Sequence, residues 1–300
     1  MLSLHTNSAA LSAQNSISRT QSSLSTSQTR LSTGFRVNSA MDDAAGLQIA
    51  TRLKAQTSGM AMAMRNTQNS ISMLQTAEGS LDEVTTMLTR MKSLATLAAD
   101  ASATAKDQAA HQSEYDALGS ELNNIMKNTT FGGTKLMTGG TIAASMQFQI
   151  GATTSETMTL DLTTPMTDLD TALGTVTARY AAGGTAVGAE ISGGTDGTAS
   201  ANNSAGQTAA NATIDTIADA IDAVGAIRSS LGAAANRLDH VYNNLSNVST
   251  NTQAATGRIM DTDFAAESSN MTQSQMLLQA GTAMLKQSNS TSSLVMSLLQ

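Results

Sequence analysis

Apolar residues recur at Leu74, Ala77, Leu81, Val84, Leu88, Met91, Ala95 and Ala98, in steps alternating between three and four. That spacing places one apolar seam along a single helix face. A second seam runs through Ile214, Ile217, Ile221, Val224, Leu231, Ala235, Leu238, Tyr242 and Leu245, with Arg228 interrupting one seam position. The two patterns predict uninterrupted helices over about 44–99 and 212–253, each roughly 60–80 Å long at about 1.5 Å per residue. Either seam alone would leave too much apolar surface in water. At roughly 1.5–3 kcal/mol per buried Leu or Ile, pairing the two helices dominates their stability. The expected contacts are Leu74, Leu81, Val84, Leu88 and Met91 on one helix with Ile217, Ile221, Val224, Leu231 and Leu238 on the other.

Between these helices, Ala110, Tyr115, Leu118, Leu122 and Ile125 share a face and predict a further helix over 107–126, which Asn128-Thr129-Thr130-Phe131-Gly132-Gly133 breaks. Two alternating runs follow. Met146, Phe148 and Ile150 share one face, and Met158, Leu160 and Leu162 another, with Gly151-Ala152-Thr153-Thr154 between them. A β-hairpin over about 145–163 is expected. Residues 181–211 are mostly Gly, Ala, Thr and Ser. With little apolar content to offset ordering entropy, they read as a short, loop-rich variable surface insertion.

Both ends carry sparse apolar positions near a spacing of seven: Leu4, Leu11, Ile17, Leu24 and Leu31 at the start, and Phe264, Met271, Leu278, Leu285 and Leu299 at the finish. Their polar faces are Ser, Thr, Asn and Gln, with few charges. Such faces avoid like-charge repulsion when copies crowd together, and they supply few ion pairs to hold a lone helix. Ends that become helical against identical neighbours are therefore expected, and these ten residues are the candidate self-assembly set. The whole reads as a mainly α protein. Its core is a long antiparallel helical coiled-coil bundle of N- and C-terminal arms, with a small β-hairpin and a loop-rich outer insertion.

Composition narrows the function. Seven aromatics in 300 residues, four Phe and three Tyr with no Trp, are too few to organise several compact enzyme cores. A single proline, Pro165, leaves long helices unbroken. Without cysteine there is no disulfide scaffold, thiolate zinc site or cysteine nucleophile. A net charge of -7 with scattered Lys and Arg argues against a nucleic-acid partner. The first 18 residues lack the basic start and apolar run of a cleavable secretory signal, and no apolar run is long enough for membrane insertion.

Candidate chemistry is thin. Asp42-Asp43 and the pair Asp261 and Asp263 stand before helical segments, where capping and the helix dipole account for them. His5, His111 and His240 have no ligand spacing, and the Gly-Gly pairs are turn chemistry without a phosphate-loop Lys. The eighteen methionines read as adaptable packing. No catalytic residue, metal or cofactor is assigned.

Several ordered motifs resemble the bacterial flagellin family. They are Arg30-Leu31-Ser32-Thr33-Gly34-Phe35-Arg36-Val37-Asn38-Ser39-Ala40-Met41-Asp42-Asp43-Ala44-Ala45-Gly46, Phe131-Gly132-Gly133-Thr134-Lys135-Leu136, Leu231-Gly232-Ala233 with Asn236-Arg237-Leu238, and Arg258-Ile259-Met260-Asp261-Thr262-Asp263-Phe264-Ala265-Ala266-Glu267. The resemblance covers about 1–165 and 212–300. It implies a secreted structural subunit, exported through the type III apparatus, that forms the extracellular helical filament of bacterial motility as a homopolymer. Residues 1–45 with 257–300 would form the inner core, 46–180 with 212–256 a helical spoke domain, and 181–211 the surface insertion. A filament cap protein, a hook-junction protein and an export chaperone are the implied partners. An animal innate immune receptor is a further one, through Arg90, Leu94 and Ala95, although Ser93 and Leu97 depart from the family pattern there. A hook–filament junction protein and a secreted coiled-coil adhesin are the alternative readings.

Overall fold

The computed structural model describes residues 7–181, 188–194 and 203–298. Among these lie helices α1 (Ser8–Thr33), α2 (Ala44–Ala98), α3 (Ala105–Asn128), α4 (Thr163–Val176), α5 (Ala178–Ala181), α6 (Asn203–Met260) and α7 (Phe264–Leu298). The strands are β1 (Thr130–Phe131), β2 (Thr134–Lys135), β3 (Met146–Gln149) and β4 (Thr157–Leu160), paired antiparallel as β1–β2 and β3–β4. The helical architecture with its hairpin is as the periodicity predicts. Residues in contact divide into two compact units, one from the described ends up to Ser58 and from Val248, the other Gly59–Asn247.

In the Gly59–Asn247 unit, α2 and α6 run antiparallel: Gln207 reaches the Asp100 carbonyl, while Arg228 reaches Glu78 and Asp82 farther back along α2. The α2 seam is buried through its whole expected length and extends back through Thr67, Ala63 and Met60. The α6 seam differs from expectation. Ile217, Val224, Leu231 and Leu238 are buried as predicted, but the intervening positions are Thr213, Ala220, Ile227 and Ala234. Ile214, Ile221 and Ala235 are only half-buried at the margin. Arg228 therefore does not interrupt the seam; it flanks it and bridges to α2 at 2.9 Å from Asp82. At 3.6 residues per turn a broad apolar stripe admits either of two adjacent positions, and small Ala and Thr permit the closer approach.

Helix α3 opens with a capping box in which the Thr104 hydroxyl accepts from the Asp107 amide while the Asp107 carboxylate accepts from the Thr104 amide. Its Tyr115 and Leu122 enter the common core, together with Met146, Phe148 and Met158 of the hairpin. The pairing Met146↔Leu160 and Phe148↔Met158 places these side chains on one face. Helix α4 was not expected. Pro165 stands in its first turn, where a missing amide hydrogen leaves no bond unmade. The strands β1 and β2 also went unread, since two residues each carry no alternation. The segment expected to be surface insertion is partly otherwise: α6 already starts at Asn203, and Ile191 is wholly buried. The backbone amide of Ile191 donates to Gln112 at 2.8 Å, and Gln112 donates to Glu190 and Asp116.

Candidate functional site

The other unit is built from the two ends. Helix α1 is capped by Asn7, whose side chain accepts from the Ala10 amide, and closes at Gly34 in the left-handed conformation, φ 76°. Beyond this cap Phe35 and Asp261 form an isolated antiparallel bridge. The Arg36 amide donates to the Met260 carbonyl at 2.6 Å and the Thr262 amide to the Gly34 carbonyl at 3.0 Å. The Arg36 guanidinium donates to the Ile259 carbonyl at 2.8 Å. The Asp pairs act as caps and turn locks. Asp42 accepts from the Asn38 and Ser39 amides, Asp43 from the Gly46 amide at the start of α2, and Asp263 from Ala265 and Ala266 at the start of α7. Backbone donors of Ser39 and Asn38 hold the Asp42 carboxyl below its ordinary value.

Helices α1 and α7 pack antiparallel, with Asn7 against Ser288 at one end and Arg30 against Glu267 at the other. Their seam again steps by three and four: Ala10, Ala13, Ile17, Thr20, Leu24, Ser27 and Leu31 face Glu267, Met271, Ser274, Leu278, Gly281, Leu285 and Ser288. Only Ser27 and Glu267 of this set are fully buried. A Cβ on Gly281 would come within 2.9 Å of Ile17, so the absent side chain allows close approach there.

This arrangement redistributes the candidate assembly residues. Ile17, Leu24, Leu31, Met271, Leu278 and Leu285 lie half-buried on the α1–α7 seam, so they hold the chain to itself. A spacing of seven marks a helix seam but not which helix lies opposite. Leu11 and Phe264 do face solvent, at 56% and 59% exposure. Leu4 and Leu299 lie outside the described residues. Outward-facing residues that the spacing missed are Met276, Leu277 and Met284, all more than half exposed. Their signal was an apolar cluster off the seven-residue register.

Part of the polar α1 surface is satisfied within the helix. Thr20, Ser23, Thr26, Thr29 and Thr33 each donate their hydroxyl to the carbonyl four residues earlier. Only Arg19 and Arg30 are charged in α1, and only Glu267 and Lys286 in α7. Those five hydroxyls can be covered without stranding their donors, and the surface carries few charges to desolvate.

In the Gly59–Asn247 unit, Arg90 is exposed and pairs with Glu114 at 2.6 Å. Leu94 and Ala95 are not surface residues of this chain. Their exposures are 1% and 0%, because they stand one turn beyond Met91 on the inward side of α2. The exposed neighbour is Leu97. Burial raises the phenol pKa of Tyr115 and of Tyr180, and each is engaged: Tyr115 donates to the Val176 carbonyl at 2.7 Å and Tyr180 to Asp170. Among the described residues no His, Asp and Glu group is arranged to hold a metal, and no helix is long and apolar enough to cross a membrane.

Residues 4–141 match the bacterial flagellin N-terminal helical region, and residues 214–299 the bacterial flagellin C-terminal helical region. The chain belongs to the bacterial flagellin family. It is 38% identical to a flagellin of Halalkalibacterium halodurans over 270 residues, covering 90% of this chain and 89% of that one. It is 34% identical to flagellin A of Vibrio anguillarum over 379 aligned positions, covering all of both. The fold is similar to that of a Vibrio parahaemolyticus protein assigned as flagellar hook-associated, with TM-score 0.57 and 18% identity over 73% of this chain and 100% of that one. This flagellin is a structural subunit that self-assembles into the extracellular flagellar filament, and it is not an enzyme.

Proposed function

We propose that this flagellin polymerises by completing its α1–α7 pair against the same pair in neighbouring copies. The observation that carries the reading is the incomplete burial of that pair. Most of its seam residues are half-covered, and Leu11, Phe264, Met276, Leu277 and Met284 are exposed. An isolated two-helix ribbon of this kind is marginal in water. In a filament each copy gains apolar burial at about 25 cal/mol per Å². The termini accordingly order on polymerisation and form the inner core, with the α2–α6 bundle and hairpin as the spoke. Residues 1–45 with 257–300 and 46–180 with 212–256 are the proposed division; most of 181–202 lies outside the described residues.

Hydrogen exchange checks this directly. Amides of α1 and α7 exchange fast in monomers and slowly in filaments, while those of α2 flanking Leu88 are protected in both. Polymerisation that survives removal of residues 1–30, seen by electron microscopy after seeding, would refute the mechanism.

Secretion by the flagellar type III apparatus, with an export chaperone, a cap protein at the growing tip and a hook-junction protein at the base, follows from family membership as proposed partners. Cellular copy number separates this filament subunit from a junction protein, which occurs in few copies. For contact with an animal innate immune receptor we propose the exposed Arg90–Glu114 pair and Leu97, since Leu94 and Ala95 are buried in this chain. Purified monomer applied to receptor reporter cells tests it: a response that Arg90→Ala abolishes supports the contact, and silence removes it.

A further inference from the structure

We propose that Met276 and Met284 form an oxidant-sensitive site that decides whether a monomer can join the polymer. The chain has eighteen methionines and no cysteine or tryptophan, so thioethers are its softest nucleophiles. Burial sorts them. Met60, Met87, Met91, Met126, Met137, Met146, Met158 and Met166 lie in the core, at 9% exposure or less. Met41, Met62, Met276 and Met284 are more than half exposed.

The last two share a surface. At about 100° per residue, Met276, Leu277, Ala280 and Met284 fall within one sector of α7 roughly 100° wide. That sector lies outside the seam facing α1, and its other residues from Ala266 to Thr291, namely Ala266, Ser269, Gln273, Gln287 and Thr291, are uncharged. Three large exposed apolar side chains of α7 lie on it. Met271, also in α7, lies half-buried on the seam instead.

Hypochlorous acid is the oxidant class the chemistry fits. The thioether sulfur takes its chlorine as the Cl–O bond breaks and hydroxide leaves; water then attacks sulfur, the S–O bond forms as the S–Cl bond breaks, and chloride leaves with two protons, one of which neutralises the hydroxide. Sulfur loses two electrons and chlorine gains them. The product sulfoxide is polar and chiral, and it wants hydrogen-bond donors. On a solvent-facing helix surface water supplies them and the monomer stays folded. Against an apolar neighbour they are missing, so addition to the filament is lost. A residue covered in the filament would be shielded, which makes free subunits the vulnerable form.

This rests on the reading that the outer face of α7 is covered by neighbouring copies, and the experiment separates the two. Monomer is treated with a few equivalents of hypochlorous acid, mapped by peptide mass spectrometry, then seeded and followed by light scattering. Oxygen is expected on Met41, Met62, Met276 and Met284 but not on Met91, Met126 or Met137, with the circular dichroism melt unchanged. The critical concentration should rise about tenfold or more, the equivalent of roughly 1.4 kcal/mol. Treated M276L/M284L should assemble like untreated protein, and treated M41L/M62L should fail like treated wild type. Equal loss in treated M276L/M284L overturns the proposal. Untreated M276Q/M284Q reports on the face itself. If it assembles normally, the reading of α7 as an interface fails. If it is impaired while oxidised wild type assembles, only the oxidation proposal fails.

Discussion

The α2–α6 seam and the α1–α7 seam share one spacing and reach opposite outcomes. In the first, Leu74, Leu81, Leu88 and Val224 are fully buried. In the second, Ile17, Leu24 and Leu278 at equivalent positions are only half-covered. Heptad geometry is therefore not what makes a core. The first pair is roofed by α3, the β3–β4 hairpin and α4, whose Tyr115, Leu122, Phe148 and Leu169 close its flanks. The second pair has seam positions held by Ser, Thr, Gly and Ala, and no third element of its own unit roofs it among the described residues.

The largest test of this contrast is a matched truncation. Leu88→Ala should destabilise the monomer by about 2–5 kcal/mol in urea unfolding, as for other buried leucines. Leu278→Ala should cost about half of that or less in the monomer, and should raise the critical concentration for polymerisation instead. Equal monomer losses would erase the distinction. Next in size is Tyr115→Phe, which leaves the Val176 carbonyl buried without its donor and should cost about 1–3 kcal/mol. Differential scanning calorimetry would register it as a lowered Tm.

Gly34→Ala probes the terminal unit from its backbone. With φ at 76°, the new Cβ should cost about 1 kcal/mol, read as faster exchange of the last α1 amides with little change in the α2–α6 melt. The smallest effect concerns pH. The Thr104 hydroxyl and amide hold the Asp107 carboxyl below its ordinary value. A lowered folded-state pKa gives stability that is present above the unfolded value, near about 3.9, and lost as pH falls through the folded one. Wild type and Asp107→Asn should therefore differ in Tm at pH 6 and converge as acid titrates the carboxylate; a constant gap would remove the carboxylate from the account.

Much of this was legible beforehand because burial and spacing coincide in α2. In α6 the larger side chains at Ile214 and Ile221 drew the seam one position aside from Thr213 and Ala220, which are the residues that permit close packing. Helix α4 stayed hidden behind Pro165, a breaker in mid-helix and harmless in a first turn. Ile191 was hidden in a Gly- and Thr-rich stretch, since one apolar residue among many small ones carries no period; its burial depends on Gln112, distant in sequence. Leu94 and Ala95 show the limit of motif transfer: the match fixes their place on α2, while neighbouring elements decide whether they reach water. The assembly face was the least readable part, because a repeat of seven does not say whether its partner belongs to the same molecule.

The small bridge between Phe35 and Asp261 gains weight from that ambiguity. A seam repeating every seven residues, with Ala, Ser and Gly between its larger side chains, is nearly self-similar under a slide of one heptad. Two helices joined only by such a seam could settle one notch out of step at little cost. The backbone bonds of Gly34, Arg36, Met260 and Thr262, with the Arg36 guanidinium on Ile259, cannot be remade after a slide. They act as a vernier mark, fixing the alignment of the two ends within a molecule.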